Sequence, residues 1–243
     1  GVRLHFGEPR QRLIGSSSAN AQCRGACIGD ELVFDPDSST DLSLSCSEPA
    51  LATDDNLVLK AARELASRVP GLPVGRFQLT KRLPVAAGLG GGSSDAAAAL
   101  RLLAAAAGIA PGHAALVASA RATGADVPVC LDPRARIMAG IGDKVGPSLE
   151  LPPLFAVLVN PRVAVPTPSV FRALALEPGQ ALERSRDDGR AGTGTASLYS
   201  PSQGREGLLA CLAADRNDLQ GPASNITPAI ARTLAALSAS HGC

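Results

Sequence analysis

The chain has 243 residues, 45% of them hydrophobic, and a formal net charge of +1, which describes a globular protein with one large core or two small ones and a small-molecule partner. Charges of like sign form no run, so the chain has neither the basic footprint of a nucleic-acid binder nor a polybasic membrane surface. No apolar stretch has the length of a membrane span and no signal-peptide pattern occurs, so a cytoplasmic protein is expected.

Cysteines lie scattered at Cys23, Cys27, Cys46, Cys130, Cys211 and Cys243, without CxxC pairs or neighbouring histidines. No metal site built from side chains is expected from them. Lysine occurs only at Lys60, Lys81 and Lys144, which limits the ammonium groups open to a reaction.

From the start, Gly1 to Cys27 shows no clear period of two or 3.6. Glu31 to Phe34 and Leu42 to Cys46 are short alternating or apolar runs around Asp35-Pro36-Asp37-Ser38-Ser39, which reads as a hairpin. Thr53 to Asn56 supplies a helix N-cap, and Leu57, Ala61, Leu65 and Val69 follow at helical spacing until Pro70 and Gly71 stop them. Phe77, Leu79, Lys81 and Leu83 then alternate with Gln78, Thr80 and Arg82 in a strand. Lys81 points either into a site or along the rim of the sheet.

That strand delivers the chain to Pro84-Val85-Ala86-Ala87-Gly88-Leu89-Gly90-Gly91-Gly92-Ser93-Ser94, which runs into an alanine-rich helix. Glycines leave backbone N–H groups uncovered and allow positive φ, and a helix start offers unpaired N–H groups at the positive end of its dipole. The stretch therefore reads as a phosphate cradle, with Ser93 or Ser94 placed to cap the turn or to reach a phosphate oxygen or a magnesium ion. It is not a Walker A loop, because no lysine follows Gly92, and not the dinucleotide fingerprint, because Ser93 stands at the place of the last glycine.

The following helix is expected from about Ser94 to Ala107, ending at Gly108, and another from about Gly112 to Thr123, ending at Gly124. Gly124-Ala125-Asp126-Val127-Pro128 then places one carboxylate in an apolar turn. Asp126 is the first acid to suspect of chemistry, and helix capping is its plain alternative. Ile137 to Val145 reads as a strand and turn, and Leu154 to Val159 as a strand buried on both faces. Thr167-Pro168 opens a helix carrying Val170, Phe171 and Leu174. Glu177 to Arg205 reads as a mobile loop or lid, before helices at Gly207 to Ala214 and Thr227 to Ser238. This order argues an α+β fold rather than a doubly wound sheet, with a boundary near Pro152-Pro153 and a small-molecule cleft between two lobes.

Pro84 to Ala98, together with Gly124-Ala125-Asp126-Val127-Pro128, closely resembles the GHMP small-molecule kinases. The three adjacent glycines resemble the branch that acts on diphosphocytidyl-methylerythritol, and Asp55-Asn56-Leu57, Val159-Asn160-Pro161, Thr167 to Phe171 and Arg216-Asn217-Asp218-Leu219 fit the same branch. The likeness runs from Ile28 to Leu237. It implies a two-lobed GHMP-kinase fold with nucleotide and substrate in the cleft between the lobes. Residues 1–27 are unmatched, 28–150 form the ATP-binding domain and 151–243 a truncated C-terminal domain.

The resemblance further implies ATP and Mg2+, and phosphorylation of the methylerythritol hydroxyl of 4-diphosphocytidyl-2-C-methyl-D-erythritol in isoprenoid precursor synthesis by the methylerythritol phosphate route. It places the ATP phosphates on Pro84 to Ser94, makes Asp126 the base toward the substrate hydroxyl, sets Asn56 and Lys81 near the nucleotide, and sets Thr167 and Phe171 on the substrate side. The family also carries a Lys-x-Asn-Leu strand and a Gly-Tyr-His turn ahead of this region, and a second glycine-rich stretch after the last helix. Neither has a match here, so both ends read as truncated or replaced. A nucleotide-binding remnant without turnover is one competing reading, and a kinase of the homoserine or mevalonate type is another.

Overall fold

A computed structural model of the chain describes residues 13–17, 29–36, 41–85, 89–132, 134–139, 142, 144–153, 157, 159–165, 167–175, 200–214 and 217–240. The chain divides into two compact units, Gly1–Leu149 and Glu150–Cys243. In the first unit, β1 (Leu13–Ser17), β2 (Asp30–Asp35) and β3 (Ser43–Cys46) precede α1 (Leu57–Ala66) and β4 (Arg76–Thr80). After them come α2 (Gly91–Ala106), α3 (Ala114–Thr123), the short α4 (Val127–Cys130) and the strands β5 (Arg136–Ala139) and β6 (Lys144–Ser148). The fold is mixed α and β, as the order of sequence signals requires.

The main sheet has the order β1-β2-β4-β3, which corrects the expected hairpin. β2 and β3 do not pair; β4 lies between them, antiparallel to β2 and parallel to β3. A parallel pair needs a crossover, and α1 supplies it. The reason lies in β4: Phe77 and Leu79 are apolar on the same face as Leu32 and Phe34, opposite which they stand in register. The Phe34 and Phe77 rings stack with centroids 4.6 Å apart. β1 is a strand where the sequence offers no clear period, and it closes the other side of β2.

Leu32, Phe34, Phe77 and Leu79 form the buried face of the sheet, against which α1 and α2 pack. α1 contributes Val58, Ala61, Ala62 and Leu65, and Asn56 caps it by accepting from the Val58 N–H at 2.9 Å. α2 is buried on nearly every side, from Ser94 to Leu100 and again from Leu102 to Ala104, as expected of a central helix rather than a surface one. Its alanines allow the close approach. It ends as its sequence demands: Gly108 has φ +66°, its N–H bonds the Ala105 carbonyl, and the Ile109 N–H bonds that of Ala104.

The second unit holds α5 (Thr167–Ala173), α6 (Gly204–Ala213), α7 (Gln220–Ile226) and α8 (Pro228–Ser238). The doubly buried strand expected at Leu154 to Val159 lies mostly outside the described residues. Residues 154–156 and 158 lie outside the described residues, while Val157 and Val159 are exposed and outside any strand. The loop expected at Glu177 to Arg205 lies mostly outside the described residues. Its last part is a turn at Pro201–Gln203, where Ser200 and Gln203 form a capping box, leading into α6.

Candidate active site

β4 and α2 meet at the glycine-rich stretch and open a cleft of about 460 Å³. Leu51, Thr53, Asp55, Asn56 and Leu57 line it from the start of α1, Leu79, Lys81 and Leu83 from β4 and its exit, and Gly90 to Ser93 from the start of α2. Pro84, Val85 and Leu89 lie at the rim, and Asp95 of α2 also lines the cleft. Ala86, Ala87 and Gly88 lie outside the described residues.

Helix α2 begins three residues earlier than its sequence suggests, so Gly91, Gly92 and Ser93 form its first turn. The N-cap is Gly90, at φ +68°, and no side chain caps the turn. Neither Ser93 nor Ser94 performs the capping expected of them. The first-turn amides of a helix have no carbonyl one turn back; at α2 the N-cap residue offers them no side-chain oxygen, and Gly90 to Ser93 border the cleft. A Cβ on Gly91 would lie 3.5 Å from both Asp30 Oδ2 and Lys81 Nζ, so the first turn rests directly over those two groups.

Beneath it lies a buried ion cluster. Lys81 Nζ donates to Asp30 Oδ2 and, at 2.9 Å, to Asp95 Oδ2. Asp30 Oδ1 accepts from the N–H groups of Arg82 at 2.7 Å and Leu83 at 2.9 Å. The side chains of Lys81, Asp30 and Asp95 are 7%, 0% and 3% exposed. Burial opposes the Lys81 charge, but the hydrogen bonds and charges of Asp30 and Asp95 outweigh it and raise the ammonium above its ordinary value.

Of the two orientations open to Lys81, the structure adopts the inward one. Asp30 and Asp95 are site residues that the sequence reading missed. A signal for Asp30 was present, because it keeps the inward phase of Leu32 and Phe34, and one further step of the β2–β4 register sets it opposite Lys81.

The remaining candidates are placed as follows. Asn56 lines the cleft while capping α1, its amide donating to the Leu51 carbonyl at 2.8 Å. Ser93 lines the cleft, whereas Ser94 is buried and its hydroxyl donates to Cys130 Sγ at 3.6 Å, joining α2 to α4. Burial pushes the Cys130 thiol above its ordinary value, which keeps it protonated.

Asp126 sits exposed at the N-cap position of α4, makes no side-chain cap bond and is not among the residues lining the cleft. Its turn is held by the backbone. Gly142, at φ +93°, approaches so closely that a Cβ there would fall 2.8 Å from the Ala125 carbonyl oxygen. Arg101 of α2 also fixes α4, donating to the Cys130 carbonyl at 2.5 Å. Thr167 begins α5 in the second unit, and Phe171 on the same helix is 55% exposed. Among the described residues, no group of three His, Cys, Asp or Glu side chains is arranged to hold a metal ion, and no helix is long and apolar enough to cross a membrane.

The glycine-started helix over the sheet and the cleft at its N-terminus define a GHMP-kinase domain, and residues 56–132 match the GHMP kinases N terminal domain. A relative from Methylobacterium radiotolerans, named 4-diphosphocytidyl-2-C-methyl-D-erythritol kinase, is 56% identical over 220 residues, which span 90% of this chain and 72% of that protein. Relatives of the same name from Xanthobacter autotrophicus and a Bradyrhizobium species are 54% and 47% identical, over 88% and 96% of this chain and 71% and 76% of theirs.

Among solved structures, a 4-(cytidine 5'-diphospho)-2C-methyl-D-erythritol kinase is similar with a TM-score of 0.59 and 27% identity, over 98% of this chain and 78% of that one. The chain belongs to the 4-diphosphocytidyl-2-C-methyl-D-erythritol kinase family of small-molecule kinases. These names favour that branch over the homoserine and mevalonate types.

Proposed function

We propose that the chain binds ATP at the start of α2 and transfers its terminal phosphoryl group to the methylerythritol hydroxyl of 4-diphosphocytidyl-2-C-methyl-D-erythritol, in isoprenoid precursor synthesis by the methylerythritol phosphate route. One observation carries the nucleotide half of this reading: a cleft of about 460 Å³ is bordered by Gly90 to Ser93, at a helix start with no side-chain cap. Such a terminus suits an anion, through its N–H groups and the positive end of its dipole. Asn56 and Lys81 border the same cleft, Lys81 as part of its floor.

Phosphoryl transfer depends mostly on positioning and charge neutralisation. Magnesium, when bound, neutralises phosphate charge. It prefers oxygen ligands and retains water and phosphate partners, and the Ser93 hydroxyl would be one oxygen ligand in a cleft that also holds the Asp55 and Asp95 carboxylates. On this reading residues 28–150 form the nucleotide domain and 151–243 the second, and Thr167 and Phe171 serve the cytidine and methylerythritol side. Asp126 orients the substrate hydroxyl and accepts its proton; its exposure suits a group that must meet an incoming substrate. A cytoplasmic setting follows from the need for ATP.

The test is purified chain with MgATP and 4-diphosphocytidyl-2-C-methyl-D-erythritol, with ADP release followed over time. Turnover is expected, and Asp126→Asn is expected to lower kcat by about 10²-fold or more with ATP affinity nearly unchanged. A variant that kept the full rate would remove Asp126 from the role of base.

One observation favours a second reading, in which nucleotide is bound without turnover. Lys81 is the lysine that borders the cleft, and it is engaged by Asp30 and Asp95. Calorimetric binding of MgATP with no ADP release in the presence of substrate would select that reading.

A further inference from the structure

We propose that Asp30, Lys81 and Asp95 act as a clamp that sets the shape of the phosphate cradle, with Lys81 a positioning residue rather than a ligand of the nucleotide. The inference rests on the nucleotide-binding reading and adds the device that prepares the site. Three segments distant in the chain converge on one buried ammonium: the start of β2 through Asp30, the exit of β4 through Lys81 itself, and the first turns of α2 through Asp95. Asp30 also grips the chain that leads into the cradle, because its Oδ1 takes the Arg82 and Leu83 amides. Gly91 lies over the Asp30–Lys81 pair, so the level of the first α2 turn depends on the clamp below it.

Charge supports this assignment. The Lys81 ammonium already has two carboxylate partners and almost no exposure. Withdrawing it toward a nucleotide would break two buried ion pairs at once, which is strongly destabilising. Removing Asp95 instead keeps the Asp30–Lys81 pair in place. The clamp can therefore be loosened at α2 with its other ion pair intact.

Asp95→Ala is the deciding variant, with MgATP and adenosine titrated calorimetrically into the full chain. A clamp predicts about a tenfold loss of MgATP affinity with adenosine affinity unchanged, because only the phosphate part of the site is displaced. Asp95→Asn, which keeps an acceptor for Lys81, is expected to recover most of that loss. Hydrogen exchange without nucleotide is expected to quicken at Arg82, Leu83 and the first turn of α2 in Asp95→Ala.

If Lys81 were a phosphate ligand, Asp95→Ala would release it and MgATP affinity would hold or rise, which overturns the proposal. Equal losses for MgATP and adenosine would also overturn it, by showing general destabilisation. Failure of the unaltered chain to bind MgATP would remove the nucleotide reading itself. The exchange rates would then decide the clamp alone, and unchanged rates would end it.

Discussion

The two units of the chain bury their apolar side chains very differently. In the first, sheet and helices share one core that includes Leu32, Phe34, Phe77, Leu100 and Leu103, each fully buried. In the second, Val170 and Leu208 are the buried hydrophobics among the described residues, while Phe171, Leu209 and Leu212 are at least half exposed. The contrast shows where geometry can be held. The cradle at Gly90 to Ser93 stands on the dense core, on a helix with neighbours on nearly every side, and so has fixed surroundings before any ligand arrives. Candidates on α5, such as Phe171, have few fixed neighbours of their own.

The largest effect expected from this contrast is a pair of truncations. Leu103→Ala in α2 is expected to cost about 2 to 5 kcal/mol, and Leu212→Ala in α6 about 0.5 kcal/mol or less. Urea denaturation of both variants checks this, and similar costs would erase the distinction between the units.

Next comes the cradle itself. Gly90→Ala meets no atom within 4 Å, so its cost is the backbone strain of a side chain at positive φ, about 1 to 2 kcal/mol. It is expected to weaken MgATP binding as the helix start relaxes, and a neutral effect on both stability and binding would show that the turn does not need its left-handed residue.

The smallest effect lies at the edge of the first unit. Hydrogen bonds from Arg134, together with Arg136, hold the Asp132 carboxyl down at about 2 against an ordinary 3.8. A lowered carboxylate stabilises the fold above its unfolded value, and that contribution is lost as pH falls from 3.8 toward 2. Because the side chain is 39% exposed, solvent screening keeps the contribution below about 1 kcal/mol. Asp132→Asn is expected to flatten that acid segment of the stability profile while changing little at pH 7.

Much of the first unit was legible because its signals are local. The α1 spacing, the β4 alternation and the Gly108 stop each follow from a few neighbouring residues. The strand order was not legible, because the β3–β4 pairing is set by which strand has an apolar face to share with β2, a matter of distant residues. The start of α2 was misplaced for a different reason. Glycine is a poor helix former, and burial of the rest of the helix, not propensity, carries Gly91 and Gly92 into it.

α7 escaped notice because Gly221 and Pro222 look like breakers, although proline is tolerated in a first turn. At the candidate site, a glycine-rich helix start was legible in the sequence, and Lys81 was placed beside it. The carboxylates that engage Lys81 were not, since Asp30 and Asp95 sit 51 and 14 residues from it and form no motif with it.

That spacing bears on how the cradle comes into being. A short peptide spanning Lys81 to Ala107 would carry the glycines, the helix and Asp95, yet it would lack Asp30 and the two amide contacts that Asp30 makes. Closing the cluster requires the chain from Asp30 onward to have passed through β3, α1 and β4, and closing so long a loop has an entropic cost that local contacts do not carry. The shape of this helix start is in this sense a joint product of its own glycines and of topology, and transplanting the loop alone into another protein would move its letters without the contacts that level it.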